Sequence, residues 1–200
     1  MAASLYCLNS RKGNCRMIEI RLAHPHDLVA LAACDFSFTI ERVAMGPFDG
    51  PGITHTEPVQ PPRAKQYAFD ADELAGYLNA RDRALFVVET KSSQAVGYLA
   101  ISHAWNRFAS IDDIAIDAAH RRLGAARKLM DAAVAWARGE GLAGVRLETQ
   151  SNNVGACVFY QRYGFVLGGY DRYVYSALDE VRDEVALFWY LRFGGGGRLD

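Results

Sequence analysis

The chain has 200 residues, half of them apolar, and a formal net charge of −1 at pH 7. That length suits one α/β domain with a sizeable core and is short for two. Near-neutrality argues against a general role on nucleic acid or at a membrane surface, which calls for a basic face, and no apolar run approaches a membrane span.

Cys7, Cys15, Cys34 and Cys157 form no CxxC pair, and His24, His26, His55, His103 and His120 lack the grouped spacing of a zinc site. No metal centre is expected, and the thiols are expected to be reduced in a cytoplasmic protein. Arg11, Lys12 and Arg16 are followed by no apolar segment of signal-peptide length. Residues 1–16 therefore read as a disordered extension, 17–193 as the domain, and 194–200, with its run of glycines, as a flexible tail.

From Met17, Ile18, Ile20 and Leu22 alternate as a strand, and Pro25 opens a helix carrying Leu28, Leu31 and Ala32. Thr39 to Ala44 predicts a second strand. The stretch from Met45 to Lys65 crowds Gly and Pro together and predicts a long irregular insert. A short helix near Asp70 to Asn79 precedes LFVVET and VGYLAISHAW, two apolar runs that predict an antiparallel hairpin. Phe108 to Ile116 adds a strand. A helix after Gly124 places Leu129, Ala133, Trp136 and Ala137 on one face and ends at Gly139 or Gly141. GVRLET is the next strand. Ser151 or Asn152 is the expected N-cap of a short helix that Gly164 stops, ahead of a strand at Phe165 to Leu167. ALFWYLRF is the last strand, apolar enough to be core or the edge of a homodimer. This order predicts a mixed α/β sheet with helices on both faces, centred on the strand that ends at Ile116.

At that strand IAIDAAHRRLGAA breaks into two arginines and a glycine before the helix begins. Unpaired N–H groups at a helix start, with the positive end of its dipole, favour an anion. Neither GxxxxGK[ST] nor GxGxxG is present, so a nucleoside triphosphate or dinucleotide fits poorly, whereas Arg-x-x-Gly-x-Ala suits the diphosphate of coenzyme A.

These residues resemble the GNAT superfamily of N-acetyltransferases: AIDAAHRRLGAA matches its R-x-x-G-x-[GA] turn, and NVGACVFYQRYGF its N-x-x-A-x-x-x-Y-x-x-x-G-F helix. SFT from Ser37, PPRAK, WNRFASIDDIAI, LETQSNN and FWYLRF are similar to a narrower group, the streptothricin acetyltransferases. One departure is Arg122, which stands where the superfamily commonly has Gly. The resemblance implies a GNAT-like fold with a mostly antiparallel sheet and splayed strands near Ile116 and Glu148. It further implies acetyl-CoA as co-substrate, with pantetheine amides on Ile114, Ala115 and Ile116. The turn of Arg121, Arg122, Leu123, Gly124, Ala125, Ala126 and Arg127 would hold the pyrophosphate, Asn153 would lie near the pantetheine, and Tyr160 near the thioester sulfur.

Acyl transfer needs a neutral amine, and an ordinary ammonium with pKa near 10.4 is about 99.9% protonated at neutral pH. Asp112 and Asp113 are the candidate bases. Strand alternation sends them to opposite faces and favours Asp112, on the side of Ile114 and Ile116; a bulge would reverse the choice. Either could instead pair with an arginine or cap a loop. Tyr160 would protonate the departing thiolate. Trp105 and Asn106 are candidate acceptor contacts, Trp105 through a cation–π interaction, and Glu148 could hold a cationic substrate or form a surface ion pair. Cys157 reads as a small buried hydrophobe in preference to an acyl-accepting nucleophile, and His120 as a solvated loop residue. The leading expectation is direct acetyl transfer in a ternary complex to the β-lysine amine of streptothricin, a small-molecule partner and an antibiotic so detoxified. The alternatives are another small amine, a polyamine or a protein amine as acceptor, or a non-catalytic acyl-CoA binder.

Overall fold

The computed structural model describes residues 18–194. The extension expected at 1–16 and all but the first residue of the tail expected at 194–200 lie outside the described residues.

A seven-stranded sheet forms the centre. β1 (Glu19–Leu22), β4 (Arg83–Glu89), β5 (Ala95–His103), β6 (Ala109–Ile116), β7 (Gly144–Gln150), β9 (Ala186–Arg192) and β8 (Val166–Asp171) follow one another across it. All neighbours are antiparallel except β6 and β7. β6 is the middle strand, as its position in the sequence pattern predicts. β9 lies between β7 and β8, so the apolar ALFWYLRF run is interior and not a free edge for a dimer.

Helices cover both faces because the inner strands are apolar on both sides. Leu85 and Val87 of β4 join Leu31 of α1 (Pro25–Ala32) and Leu74 of α2 (Ala71–Ala75) in one cluster. Ala84 and Val88, on the other face of β4, join Leu129, Met130, Ala133 and Ala137 of α3 (Ala125–Gly139) in a second. α4 (Val154–Tyr163) adds Cys157 and Tyr160 to that second cluster. Its N-cap is Asn153, whose side-chain oxygen accepts from the N–H of Ala156 at 3.2 Å. The sequence expectation of Ser151 or Asn152 is thus displaced by one or two residues. Gly164 ends α4 with φ +115, as a left-handed stop should.

The Gly/Pro-rich insert is more regular than its composition predicts. β2 (Phe38–Met45) and β3 (His55–Lys65) pair as a separate two-stranded sheet, leaving only residues 46–54 irregular. Two strands alone leave each with an unpaired side, where a missing proline N–H removes no ladder bond. The register also jumps, from Arg42 opposite Pro58 to Ile40 opposite Arg63, and Pro61 and Pro62 fall inside the jump.

A smaller irregularity matters more. On β5, Ala100 pairs with Asp113 and its neighbour Ile101 pairs with Ile111, so Asp112 is an extra, bulged residue. The alternation expected from sequence fails there. Asp112 and Asp113 both turn toward tyrosines of the α1–α2 cluster, and the argument that set Asp112 beside Ile114 and Ile116 is overturned.

Candidate active site

β6 and β7 pair over three positions, Ala109 with Val145, Ser110 with Arg146 and Ile111 with Leu147, and then part. Beyond this fork the side of β6 that faces β7 has no strand partner through to Ile116. The chain then makes a short 3-10 turn at Ala118–His120 and enters α3. Asp117 ties the turn together, accepting from the N–H of Asp35 at 3.0 Å, the N–H of Ala119 at 3.2 Å and Nδ1 of His120 at 2.7 Å. His120 is therefore a paired residue and not simply a solvated one. Burial pushes the Asp117 carboxyl up, but these hydrogen bonds outweigh it and hold the group below the usual carboxylate range.

The first helical hydrogen bond runs from Lys128 N–H to Gly124 O at 3.1 Å. Among the described residues, the N–H groups of Arg121 through Arg127 have no acceptor in the protein. Two left-handed residues shape this row of free donors, Arg122 with φ +62 and Gly124 with φ +83. Arg122 thus takes a left-handed backbone conformation that glycine adopts more easily than other residues. A Cβ on Gly124 would meet no atom of the described residues within 4 Å, so the glycine keeps its outer face open. Arg121 folds back, its Nε donating to Ile116 O at 2.9 Å.

Fork and turn open into one cavity of about 1050 Å³. Its walls include Ile114, Ala115, Ile116, Arg121, Arg122, Gly124, Ala125, Ala126 and Arg127 from the strand and turn, Asn153 and Tyr160 from α4 and its cap, and Asp112, Asp113 and Glu148 from the fork. Of the expected turn residues only Leu123 does not line it; its side chain is exposed. Trp105 and Asn106 are not brought to the cavity either. They sit in the turn before β6, at the end of the strand opposite the phosphate turn, with Trp105 91% exposed. The expected role of both as acceptor contacts is corrected accordingly: β6 carries its sequence neighbours Asp112 and Asp113 into the cavity but leaves the preceding turn outside.

Tyr160 is almost fully buried, packed against Phe159, Phe165 and Trp189 with ring centroids 5.5, 5.8 and 6.3 Å away. Its hydroxyl is not among the enclosed polar atoms and has no hydrogen-bond partner among the described residues. Burial pushes this phenol above its ordinary range, so it stays protonated at neutral pH. Cys157, one turn before it on α4, is fully buried and its thiol is pushed up to about 12 by that burial. It packs as a hydrophobe and is a poor nucleophile.

Each fork carboxylate is held by a tyrosine. Tyr77 donates to Asp112 at 3.0 Å, Tyr98 donates to Asp113, and Tyr175 donates to Glu148. Asp112 is exposed, whereas Asp113 is partly buried and burial pushes its carboxyl above the usual range. Sequence reasoning does not single out these tyrosines, nor Glu73, Tyr67 and Arg162, which also line the cavity. Only the fold brings them together, and no local spacing marks them.

A parted mixed sheet with a free-amide turn at its open end defines an acyl-transfer architecture, and the chain belongs to the GNAT family of acetyltransferases. The family model for "Acetyltransferase (GNAT) family" matches residues 52–165, more than half of the chain. Its relatives narrow the kinship. It is 34% identical over 132 residues, 66% of this chain and 75% of the other, to streptothricin acetyltransferase A of Bacillus subtilis (strain 168). It is 42% identical over 97 residues to streptothricin acetyltransferase of Escherichia coli, a match spanning 48% of this chain and 56% of that one. Among solved structures, a candidate streptothricin acetyltransferase of Bacillus anthracis str. Ames, in complex with acetyl coenzyme A, superposes with a TM-score of 0.78 at 34% identity, covering 88% of this chain and all (100%) of the other. No helix among the described residues is long and apolar enough to cross a membrane.

Proposed function

We propose that this protein transfers the acetyl group of acetyl-CoA to a primary amine, with the β-lysine amine of streptothricin as the leading acceptor, directly and within a ternary complex. The observation that carries this is the division of one cavity into a cationic end of free amides and an acidic, aromatic end, with the unpaired Tyr160 hydroxyl among its walls. The acceptor assignment is supported by the names of the relatives and by the carboxylates that would receive a cationic antibiotic.

The residues present fit acetyl-CoA. The free N–H groups from Arg121 to Arg127 suit its pyrophosphate, Arg162 adds a cation at the cavity wall, and the unpartnered side of β6 at Ile114, Ala115 and Ile116 suits the amides of its arm. When bound, it supplies an activated acetyl carbon. Asp113 takes the proton of the substrate ammonium, freeing the nitrogen lone pair to form the new N–C bond. As the C–S bond breaks, Tyr160 gives its proton to sulfur, so that the ammonium and thioester become an amide, a free thiol and a proton. Backbone N–H groups at the fork polarise the acetyl oxygen. Asp113 is preferred to Asp112 because it is partly buried, and its raised pKa makes it the stronger base.

An acceptor panel tests the function: with acetyl-CoA present, thiol release is expected with streptothricin. Release only with other amines would replace the acceptor, and tight acetyl-CoA binding with no release to any amine would make the protein a binder. The base is tested separately by Asp113→Asn. The wild-type kcat/KM should lose rate toward acid with a midpoint above the usual carboxylate range, and the variant should lack that limb and run about 10–100-fold slower. The folded protein binds this proton more tightly than the unfolded chain does, so stability is fully present below the unfolded pKa and falls as pH rises through the raised folded one. Asp113→Asn should therefore melt higher than wild type at pH 7. If Asp112→Asn abolishes the acid limb instead, the assignment of the base is wrong.

A further inference from the structure

The register of β6 on β5 sets one side chain against Asp113. Ala100 lies opposite Asp113 and Tyr98 opposite Ala115, so Tyr98 stands diagonally across the ladder from Asp113 and on the same face. Its hydroxyl donates to Oδ2 of Asp113. The bulge at Asp112 makes this meeting possible. In an unbroken ladder with Ile111 still opposite Ile101, Asp113 would fall opposite Leu99, a member of the α3 cluster on the other face. Tyr98 itself is 3% exposed, and its ring is met edge-on by Phe36 at 5.4 Å and Phe69 at 5.9 Å. Phe36 stands just before β2 and Phe69 just after β3, so the two stems of the β2–β3 hairpin hold the ring in place. Burial pushes the phenol up, which keeps it a hydrogen-bond donor at every working pH.

Most of what surrounds Asp113 favours its neutral form. Burial acts most strongly, and Glu73 of α2 and Asp112 on its own strand push the same way by like charge. Tyr160 of α4 and Tyr67, which follows β3, face it as protonated phenols. The Tyr98 hydroxyl is the largest opposing influence, ahead of the N–H of Ile114. Resting on the reading of Asp113 as the base, we infer that Tyr98 is a positioning residue of the acetyl transfer: held by the stems of the β2–β3 hairpin, its hydroxyl keeps the Asp113 carboxylate charged and fixed in aim. A base must be free of its proton before it can take one from an ammonium. Without Tyr98 the carboxyl holds that proton to higher pH and has one oxygen untethered.

Tyr98→Phe keeps the ring and its packing and deletes only the hydroxyl. Two readouts are compared on the full-length protein. One is the carboxyl NMR signal of Asp113, in protein carrying isotopically labelled aspartate and assigned by its loss in Asp113→Asn. The other is the pH profile of kcat/KM with acetyl-CoA and streptothricin. In the variant the NMR midpoint should lie about one to two pH units above wild type, the effect of losing one hydrogen bond to a charged group. The acid limb should move up with it, and the activity lost at neutral pH should return as pH rises, which mere loosening of the site would not produce. Phe69→Leu keeps the hydroxyl but slackens its clamp; it should move both readouts the same way by less, and it decides the matter if Tyr98→Phe does not fold. An unmoved NMR midpoint, or a rate deficit of equal size at every pH, would overturn the inference. A midpoint that moves while the acid limb stays would uphold the hold of Tyr98 on this carboxylate and remove Asp113 as the base.

Discussion

Replacing Tyr160 by Phe is expected to lower kcat about 10²–10³-fold while leaving the acetyl-CoA Kd within about twofold. The ring is fixed by Phe159, Phe165 and Trp189 and fills the same volume in the variant, so packing is conserved and only the hydroxyl is lost. That hydroxyl has no hydrogen-bond partner among the described residues whose loss could destabilise the fold. Removing it leaves the departing sulfur to accept its proton from water, which forfeits a general-acid contribution of about 10²–10⁴. Stopped-flow thiol release and equilibrium titration with acetyl-CoA measure the two quantities separately. A fall in affinity as large as the fall in rate would show that Tyr160 serves binding and not proton transfer.

The second large effect is expected at Gly124, where Val should weaken acetyl-CoA binding about 100-fold or more. Two causes act together. At φ +83 a β-branched residue is strained by roughly 1–2 kcal/mol, which tends to pull the turn out of shape. The added side chain also projects from a Cβ position that has no atom of the described residues within 4 Å, toward the space the donor's pyrophosphate would occupy. Because nothing in the protein is displaced, the variant should remain folded, with a melting temperature close to wild type once the strain is allowed for. Unchanged affinity for acetyl-CoA in a folded Gly124→Val protein would remove the turn from the binding site.

Local signals in the sequence locate most of this architecture, and what they miss has a common cause. Gly124 and Gly164 mark left-handed positions that only one residue type takes easily, so the helix ends around them are legible. The apolar runs of β4, β5 and β9 are buried on both sides, and no rival element explains them. The β2–β3 hairpin is hidden by its prolines, because whether a proline breaks a strand depends on whether the missing N–H faces a partner. The bulge at Asp112 is equally invisible: it is a property of how β6 registers on β5, and it decides which faces the two aspartates take. Tyr98, Tyr77 and Tyr175 are separated from the acids they hold by 15, 35 and 27 residues. Such pairings arise from tertiary proximity alone. Trp105 shows the opposite error, a residue adjacent in sequence to the site's central strand and remote from the site in space.

Among the described residues, the three ladder pairs that join β6 to β7 are the only strand pairing between β1-β4-β5-β6 and β7-β9-β8. The sheet is in effect two wings joined at one end and backed by α3, whose buried residues share one core with both, while a gap remains between them beyond the third pair. A molecule lodged there touches both wings and acts as mortar, so its binding free energy is added to the cohesion of the whole molecule by RT ln(1 + [L]/Kd). In a cell rich in that molecule, the resistance of this chain to heat and proteolysis is then set partly by metabolic supply and not by its own contacts alone.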